Sequence, residues 1–338
     1  MAEPTPGGSP PPAAAPWRGG EGRVVTVLVT GVSGQLAHLV CEMLRDRHEL
    51  VGADVRPLPA GRSFPGEFHC VRYTQRRMAE VFRRHRPRAL VHLGRLRGSE
   101  VSSTSFRFTQ NVLGTRNLID LCIRYGVKRF VVLGTFHVYG AHQHNHVGIR
   151  EDAPLRASLT FPQIADAVEL DHAVTGALWR HRELETVLLR PCHIVGPSLN
   201  NLTSRLFRLR AVPTLLGYDP MLQFVHERDC ARAICLALHG DRVGVYNVAG
   251  EGAVPYTYAI RLAGGRPVPV PHFLAYPVVG SLSRWRLLFP KHLMDYFRYP
   301  TVVDDSLFRA DFGYAPQFTI VETLASVGRQ QVRRKEPA

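Results

Sequence analysis

Lysine is scarce in this sequence: it occurs only at Lys128, Lys291 and Lys335, so arginine carries nearly all of the positive charge. The formal net charge is nevertheless +14, which raises the question of a nucleic acid or an anionic membrane as partner. The arginines are scattered, and they form no basic strip interleaved with the aromatic residues that stack on bases. A composition rich in arginine, alanine and proline is typical of a GC-rich coding sequence. We therefore expect no nucleic-acid partner.

Long apolar runs and paired cysteines are also absent. No stretch approaches eighteen uncharged apolar residues, so we expect no transmembrane segment. Residues 1–22 are rich in Pro, Gly and Ala without a continuous apolar stretch, which predicts a disordered leader rather than a signal peptide. The six cysteines contain no C-x-x-C pair, which favours a reducing, cytoplasmic location and no metal site.

Residues 24–37 hold the most informative pattern in the chain. Residues 24–29 are valine, threonine and leucine, which is typical of a strand covered on both faces. Gly31 permits a tight turn after this strand, Gly34 lets the backbone approach a pyrophosphate, and Ala37 is the third small position of a dinucleotide-binding motif. The helix predicted over residues 35–47 directs its free N–H groups at the phosphates. The stretch therefore predicts a dinucleotide site.

An acid stands at the expected distance from this turn. Asp54 lies in the next predicted strand, residues 50–56, about twenty residues on, where a carboxylate accepts both ribose hydroxyls. Its charge favours NAD, because it would repel the 2′-phosphate of NADP. Arg56 leaves NADP open, since it could pair with that phosphate, stack on adenine or be a solvated surface residue.

Strands and helices alternate through the rest of the sequence. This order predicts an α/β fold, a Rossmann-type doubly wound parallel sheet with a smaller C-terminal substrate lobe. We expect a dinucleotide-binding domain over residues 23–195, the lobe and returning sheet elements over 196–328, and a basic tail over 329–338. The predicted strands cover residues 68–72, 89–93, 129–133, 186–190 and 244–248, and the predicted helices cover 74–84, 106–125, 162–182 and 229–239.

Several ordered motifs over residues 24–327 resemble the extended short-chain dehydrogenase/reductases, the NAD-dependent epimerase/dehydratase family that includes UDP-glucose 4-epimerase. They are Thr30-Gly31-x-x-Gly34-x-x-Ala37, Asp54, Val91-His92-Leu93, Asn111-Val112-x-Gly114-Thr115-x-Asn117-Leu118, Thr135-x-x-Val138-Tyr139-Gly140, Arg190-Pro191 with Gly196-Pro197, and Val225-His226-x-x-Asp229. The resemblance implies NAD as cofactor and a small-molecule substrate such as a sugar nucleotide. The cofactor-binding positions that it implies are Gly31, Ser33, Gly34, Gln35, Leu36, Asp54, Arg56, Val71, Leu93, Gly94, Asn111 and Pro191.

The catalytic pair of that family is missing. Its Tyr-x-x-x-Lys motif supplies a phenolate, kept ionised by the ammonium, that moves a proton as hydride moves. The resemblance puts Gln163 at the tyrosine position, Ala167 at the lysine position and Thr135 at the Ser/Thr position that holds the substrate oxygen. Shifting the register to Phe161 and Ala165 restores neither group. Glutamine transfers no proton near neutral pH, so we expect hydride chemistry to be lost or severely reduced.

Other positions also depart from the family. Cys70 stands near a place where the family often has an aspartate for the adenine. Arg95 and Arg97 follow Gly94, where small residues are usual. They either pair with a cofactor or substrate phosphate or partly fill the pocket.

A group of histidines follows the fifth predicted strand. They are His137, His142, His144 and His146. Histidine titrates near neutrality, so one of them is a candidate replacement base, and the alternating three have a spacing that could touch a metal. A solvated loop is the interpretation we favour, and for Tyr139 we favour a structural role.

Residues from 196 onward are expected to contact the substrate. The resemblance implies that six residues face the cleft: Asn200, Asn201, Arg205, Arg208, Gln223 and His226. The two arginines either contact the diphosphate of a substrate or are solvated surface residues. The apolar stretch 272–289 either caps an apolar alcohol, lies on a membrane face or, as we favour, packs on the sheet. The helices over 106–125 and 162–182 pair between subunits in relatives, which suggests a homodimer.

Three functions remain open from the sequence. The leading hypothesis is a family member that retains NAD binding with altered or absent turnover. The second is an active oxidoreductase or sugar-nucleotide epimerase with a non-standard base. The third is a non-catalytic partner protein that responds to cofactor.

Overall fold

The computed structural model describes residues 24–96, 103–161, 164–271, 295–296 and 298–333. Its centre is a seven-stranded sheet made of β1 Thr26–Thr30, β2 Glu49–Asp54, β3 Glu67–Cys70, β4 Ala89–His92, β5 Arg129–Leu133, β6 Glu185–Pro191 and β11 Gly244–Val248. The strand order is β11-β6-β5-β4-β1-β2-β3, and every pair is parallel. The prediction of a doubly wound parallel sheet is confirmed.

Helices cover both faces of this sheet, as the uninterrupted apolar strands require. They are α1 Gln35–Leu44, α2 Arg76–His85, α3 Thr104–Phe108, α4 Gly114–Arg124, α5 Ala157–Thr160, α6 Ala165–Arg180, α7 Leu202–Phe207, α8 Glu227–His239, α9 Tyr256–Leu262, α10 Ser306–Phe312 and α11 Ile320–Arg333. The helix predicted over residues 106–125 is present as three consecutive segments, which are α3, a π-helical turn over Thr109–Leu113 and α4. The other helix predictions differ from the structure at their ends.

Alternate side chains of β1 lie in two different cores because a strand turns successive residues to opposite faces. Val27 and Val29 join a cluster that includes α1 and α8. Leu28 joins the opposite cluster, which includes side chains of α2 and α4. The two clusters hold the sheet between two helical layers.

A neutral histidine connects β4 to β1 and α4. The Thr115 hydroxyl donates to the Asn111 carbonyl oxygen (2.6 Å), so the His92 Nε2–H donates to Thr115 Oγ1 (3.0 Å). His92 Nδ1 then accepts the Thr30 hydroxyl at 2.6 Å. Burial lowers the pKa of His92 to about 4, so the ring is neutral at pH 7.

The residues after β6 form smaller sheets around a third core. The remaining strands are β7 His193–Val195, β8 Ala211–Leu215, β9 Met221–Leu222, β10 Phe224–His226, β12 Val254–Pro255 and β13 Arg266–Val270. Apolar side chains of α7, α9 and α11 pack there, with Phe207 and Phe224 at the centre. The chain returns to the main sheet at β11, and the predicted domain boundaries stay predictions.

Some predictions fall on residues that the structure does not describe. These include the leader over residues 1–22, Arg97, Gln163 and the apolar stretch 272–289, which lie outside the described ranges. Within those ranges, no helix is both long enough and apolar enough to span a membrane.

Candidate functional site

The glycine turn after β1 brings two loops into contact. Gly31 has a φ of +79°, and its N–H donates to the Ala53 carbonyl oxygen at 2.9 Å. A Cβ at this position would lie 2.6 Å from the Gly94 Cα and 2.7 Å from the Leu93 carbonyl carbon. Both neighbours are backbone atoms, so the loops that follow β1 and β4 touch only because residue 31 is glycine.

Helix α1 begins directly after this turn and presents its N-terminus to the carboxyl edge of the sheet. Its N-cap residue is Gly34, which has no side chain to cap the first turn. The first turn also carries no acidic residue. The N–H groups at the start, which include those of Gln35 and Leu36, therefore remain available to an anion.

The acid at the end of β2 is held by backbone donors. The Asp54 carboxylate accepts the Ser33 N–H and the Arg56 N–H, each at 2.9 Å, and its residue is buried. The Arg56 guanidinium lies 3.7 Å from the same carboxylate. Val71, just beyond β3, donates its N–H to the Asp54 carbonyl oxygen at 2.8 Å. Asp54 thus lies beside the glycine turn, as its spacing predicted.

Arg62 lies across the same turn, and the sequence analysis missed it. Its guanidinium donates to the Gln35 side-chain oxygen at 2.8 Å and to the carbonyl oxygens of Ser33 and Gly34 at 3.4 Å. The residue belongs to a loop rich in proline, glycine and arginine, where no periodicity distinguishes one arginine from another. It adds a positive charge beside the N-terminus of α1.

Tyr73 fills the space below Gly94. A Cβ at Gly94 would collide with the Tyr73 hydroxyl oxygen and lie 2.7 Å from the ring carbon that bears it. A Cβ at Gly114 would lie 2.9 Å from the Tyr73 Cβ. Burial raises the pKa of the Tyr73 phenol well above its usual value, with a smaller contribution from the Asp54 charge. Tyr73 is therefore a neutral packing residue under the loop after β4.

Asn111 holds the loop after β4 from the π-helical turn. Its amide nitrogen donates to the Leu96 carbonyl oxygen at 2.8 Å and to the Asp166 carboxylate at 2.5 Å. Its amide oxygen accepts the Leu96 N–H at 2.8 Å. A π-helical turn adds one residue to a helix and re-aims its side chains, which explains why Asn111 faces this loop.

A buried ion cluster lies beside the position expected for the catalytic lysine. The Asp166 carboxylate is 3.8 Å from Arg95 Nε and 3.7 Å from Arg107 Nε. All three side chains are largely buried. Ala167, the next residue along α6, is 3% exposed within the apolar core. Arg95 therefore pairs with a carboxylate of the protein, an option that the sequence analysis did not consider.

Thr135 and His137 form a close pair after β5. Thr135 Oγ1 lies 2.8 Å from His137 Nδ1. The His137 ring packs near the rings of His193 and Tyr296, with centroids 5.4 and 4.8 Å away. Burial lowers the pKa of His193 to about 4, so that neighbour is neutral. His137 therefore lies within hydrogen-bonding distance of Thr135, the residue at the expected Ser/Thr position of the site.

The other loop histidines differ from His137. His144 and His146 are exposed and His142 is half-buried. Within the described ranges their ligand atoms join no group of three that a metal ion would bridge. This arrangement agrees with a solvated loop.

Tyr139 belongs to a buried network rather than to the reactive groups. Its hydroxyl donates to Asn247 Oδ1 at 2.7 Å and accepts from Arg190 Nη1 at 2.8 Å. Arg190 also makes two 2.8 Å bonds to Asp171. Burial raises the pKa of Tyr139 to about 12, although the Arg190 charge opposes that rise. Tyr139 therefore stays protonated at neutral pH.

Several residues expected in the cleft bond to nearby backbone or loops. Arg208 donates to the carbonyl oxygens of Gly196, Pro197 and Leu199. Asn201 caps α7, His226 caps α8, and Gln223 exchanges two bonds with the Val303 backbone. Asn200 and Arg205 are exposed, and Pro191 ends β6 in register with Val248.

The family model described as the NAD dependent epimerase/dehydratase family matches residues 27–249. The chain belongs to this family. The match includes the glycine turn, Asp54, Thr135 and the central sheet except Thr26, the first residue of β1, so the recognition made from the motifs is confirmed.

Two relatives are similar to part of this chain. A Mycobacterium tuberculosis protein described only as uncharacterised is 31% identical over 219 residues, which are 63% of this chain and 57% of that protein. The UDP-glucose 4-epimerase of Caenorhabditis elegans is 24% identical over 196 residues, 56% of this chain and 51% of the enzyme. The chain thus matches only a little over half the length of these relatives.

Two solved structures illustrate the shared fold. The UDP-glucose 4-epimerase of Thermotoga maritima, solved with UDP-glucose, has a TM-score of 0.72 at 18% identity and covers 92% of this chain and 100% of its own. MoeE5, in complex with UDP-glucuronic acid and NAD, has a TM-score of 0.71 at 24% identity over 91% and 99% of the two chains. At these identities the similarity establishes the architecture alone.

Proposed function

We propose that this epimerase/dehydratase-family protein binds NAD at the carboxyl edge of its sheet and has lost most or all of the family's standard hydride chemistry. The observation that carries the proposal is a contrast between two neighbouring regions. The glycine turn and Asp54 are arranged for a dinucleotide, whereas the lysine position is a buried alanine, Ala167.

The residues at this edge fit the chemistry of the cofactor. Gly31 and Gly34 leave room for backbone to approach a pyrophosphate, and the uncapped N-terminus of α1 offers N–H donors to its oxygens. Each Asp54 oxygen accepts one backbone N–H and retains a lone pair for a ribose hydroxyl. The MoeE5 structure, which contains NAD, supports the same assignment for this fold.

The charge at the ribose position favours NAD over NADP. The 2′-phosphate of NADP would lie against the buried Asp54 carboxylate, and repulsion there opposes its binding. Arg56 offsets part of that charge because its guanidinium lies 3.7 Å from Asp54. We therefore expect NAD to bind more tightly, with NADP as the weaker ligand.

The loss of hydride chemistry follows from what the nearby side chains can do. When bound, NAD supplies a hydride acceptor, and the protein must then remove a proton from the substrate hydroxyl. Ala167 can neither donate nor accept that proton, and the Asp166 carboxylate is paired with Arg95 and Arg107. Tyr139 does not replace the missing phenol because its pKa is raised to about 12.

A second candidate function rests on the Thr135–His137 contact. A substrate alcohol, on a sugar nucleotide or an apolar molecule, would hydrogen-bond Thr135, and its proton would pass through the Thr135 hydroxyl to His137 Nδ1, 2.8 Å away. This arrangement would make the protein an active oxidoreductase or epimerase with a histidine base. Location in the cytoplasm and a homodimer through the α4 and α6 region remain predictions.

Isothermal titration calorimetry with NAD and NADP tests the leading proposal. We expect binding of NAD and weaker binding of NADP, and no binding of either would overturn it. The bound protein is then offered UDP-glucose while the absorbance of reduced nicotinamide is followed. If no reduced nicotinamide appears, the result supports the loss of hydride transfer. It also keeps open the hypothesis of a non-catalytic partner protein that responds to cofactor. Reduction that disappears in His137→Ala but persists in the control His144→Ala would instead establish the second function.

A further inference from the structure

Two histidines and a glutamate lie close together near the amino end of β3, the edge strand of the sheet, away from the dinucleotide site. His69 Nε2 lies 2.9 Å from His85 Nε2. The Glu67 carboxylate places one oxygen 3.4 Å from the first ring nitrogen and the other 3.8 Å from the second. Within the described ranges, no other group of three histidine, cysteine or acidic side chains brings its ligand atoms this close together.

Local structure explains the convergence. Glu67 and His69 are two residues apart on β3, so their side chains share one face of this edge strand. Phe68, between them, packs with the core on the opposite face. His85 is the last residue of α2, which follows β3 and runs back to the start of the strand. The three side chains are therefore fixed by regular elements rather than by a loop.

We propose that Glu67, His69 and His85 bind a divalent first-row transition metal, with zinc as the best match. Zinc takes imidazole nitrogen and carboxylate oxygen ligands at about 2.0–2.1 Å in tetrahedral geometry, which separates the ligand atoms by about 3.3 Å. The two ring nitrogens are 2.9 Å apart, and the nearer Glu67 oxygen is 3.4 Å from His69 Nε2. One ligand atom from each side chain lies within 4.8 Å of the other two, so side-chain rotations would bring all three to the zinc distance. Two imidazoles and one carboxylate are a zinc ligand set that leaves the fourth position open.

The surroundings give that fourth position access to water. A surface cavity of about 390 Å³ lies beside the group and is lined in part by Glu67, Arg84 and His85. Arg84 Nη2 contacts Glu67 at 3.0 Å, but its side chain is 66% exposed. It can therefore return to solvent when the carboxylate turns to the metal. One imidazole donates to the other, and Arg84 pairs with the glutamate.

Zinc binding by the whole chain tests this proposal without reference to NAD. Purified protein is stripped with a chelator, dialysed against micromolar zinc and assayed for bound metal by mass spectrometry. We expect about one equivalent of zinc and a rise in the thermal denaturation midpoint when zinc is added. Cobalt in place of zinc should give the visible absorption of a tetrahedral site. Failure of the stripped protein to take up zinc would overturn the proposal.

Variants separate this site from adventitious binding. His69→Ala and His85→Ala should each weaken zinc affinity by about tenfold or more. Glu67→Gln keeps the size of a partly exposed side chain while removing its charge, so it should fold normally and still weaken binding. The matched control is His142→Ala with His144→Ala, which removes two histidines whose rings lie 5.3 Å apart in a loop. Equal zinc affinity in Glu67→Gln and the unchanged protein would refute the assignment, as would loss of binding in the control.

Discussion

Replacing Gly31 with alanine separates two effects that one glycine combines. The first is backbone conformation, because φ is +79° and an alanine there costs about 1 kcal/mol. The second is the contact between loops, because the new Cβ would lie 2.6 Å from the Gly94 Cα. Overpacking of this kind adds about 1–3 kcal/mol, since two backbone segments must separate. Gly31→Ala should therefore lower the free energy of unfolding by about 2–4 kcal/mol.

Gly126 provides a matched control. It follows α4 with a φ of +69°, and a Cβ there would meet nothing within 4 Å. Gly126→Ala should therefore pay only the conformational cost of about 1 kcal/mol. Both variants are compared by urea denaturation at equilibrium, with the slope checked for two-state behaviour. Equal destabilisation by the two substitutions would refute the argument that the loops after β1 and β4 depend on glycine for their contact.

Three further outcomes follow from buried side chains. Gly94→Ala should destabilise the fold by about 1–3 kcal/mol, because its Cβ would collide with the Tyr73 hydroxyl. Adding Tyr73→Phe to that variant should restore part of the lost stability, because the colliding hydroxyl is removed. Purely additive effects of the two substitutions in a double-mutant cycle would contradict this rescue. Asp171→Asn leaves Arg190 buried without its charge partner, so the free energy of unfolding should fall by about 3–5 kcal/mol. Thermal denaturation measures this change, and an unchanged midpoint would contradict the expectation. His92 has a folded-state pKa of about 4 against 6.5 when unfolded, so the unfolded chain binds more protons in this interval. Stability should therefore fall as pH drops from about 6.5 to about 4, and His92→Gln should make that fall shallower in denaturation curves recorded across the interval. The contribution of His193, whose pKa burial also lowers to about 4, should remain.

The sheet and the glycine turn could be predicted because their determinants are local in sequence. A run of apolar residues, a glycine at the turn and an acid at the end of the next strand lie within a short stretch, and each has a direct structural consequence. The order of strands and helices then limits the topology to very few arrangements. The family match over residues 27–249 agrees with this reasoning.

Contacts between distant residues could not be predicted in the same way. Asn111 and Asp166 meet only because a π-helical turn changes the direction of the first, and a search for a helical repeat does not detect such a turn. Tyr73 explains why Gly94 lacks a side chain, but only the fold brings those two together. Glu67 and His69 had the alternate spacing of a strand face, which is a visible pattern. That pattern alone did not indicate a metal site, because the sequence does not show that His85 lies beside these two residues.

Strand β11 has a consequence for how the protein is made. It pairs with β6 at one edge of the sheet, yet residues 196–243 of the smaller sheets and α8 are synthesised between the two strands. During synthesis β6 is therefore an apolar open edge, which favours intermolecular pairing until β11 arrives. Strand β11 also contains Asn247, whose side-chain oxygen accepts the hydrogen bond from the Tyr139 hydroxyl. A fragment that stops at residue 195 would lack both, so the smallest unit able to bind a dinucleotide should extend beyond β11.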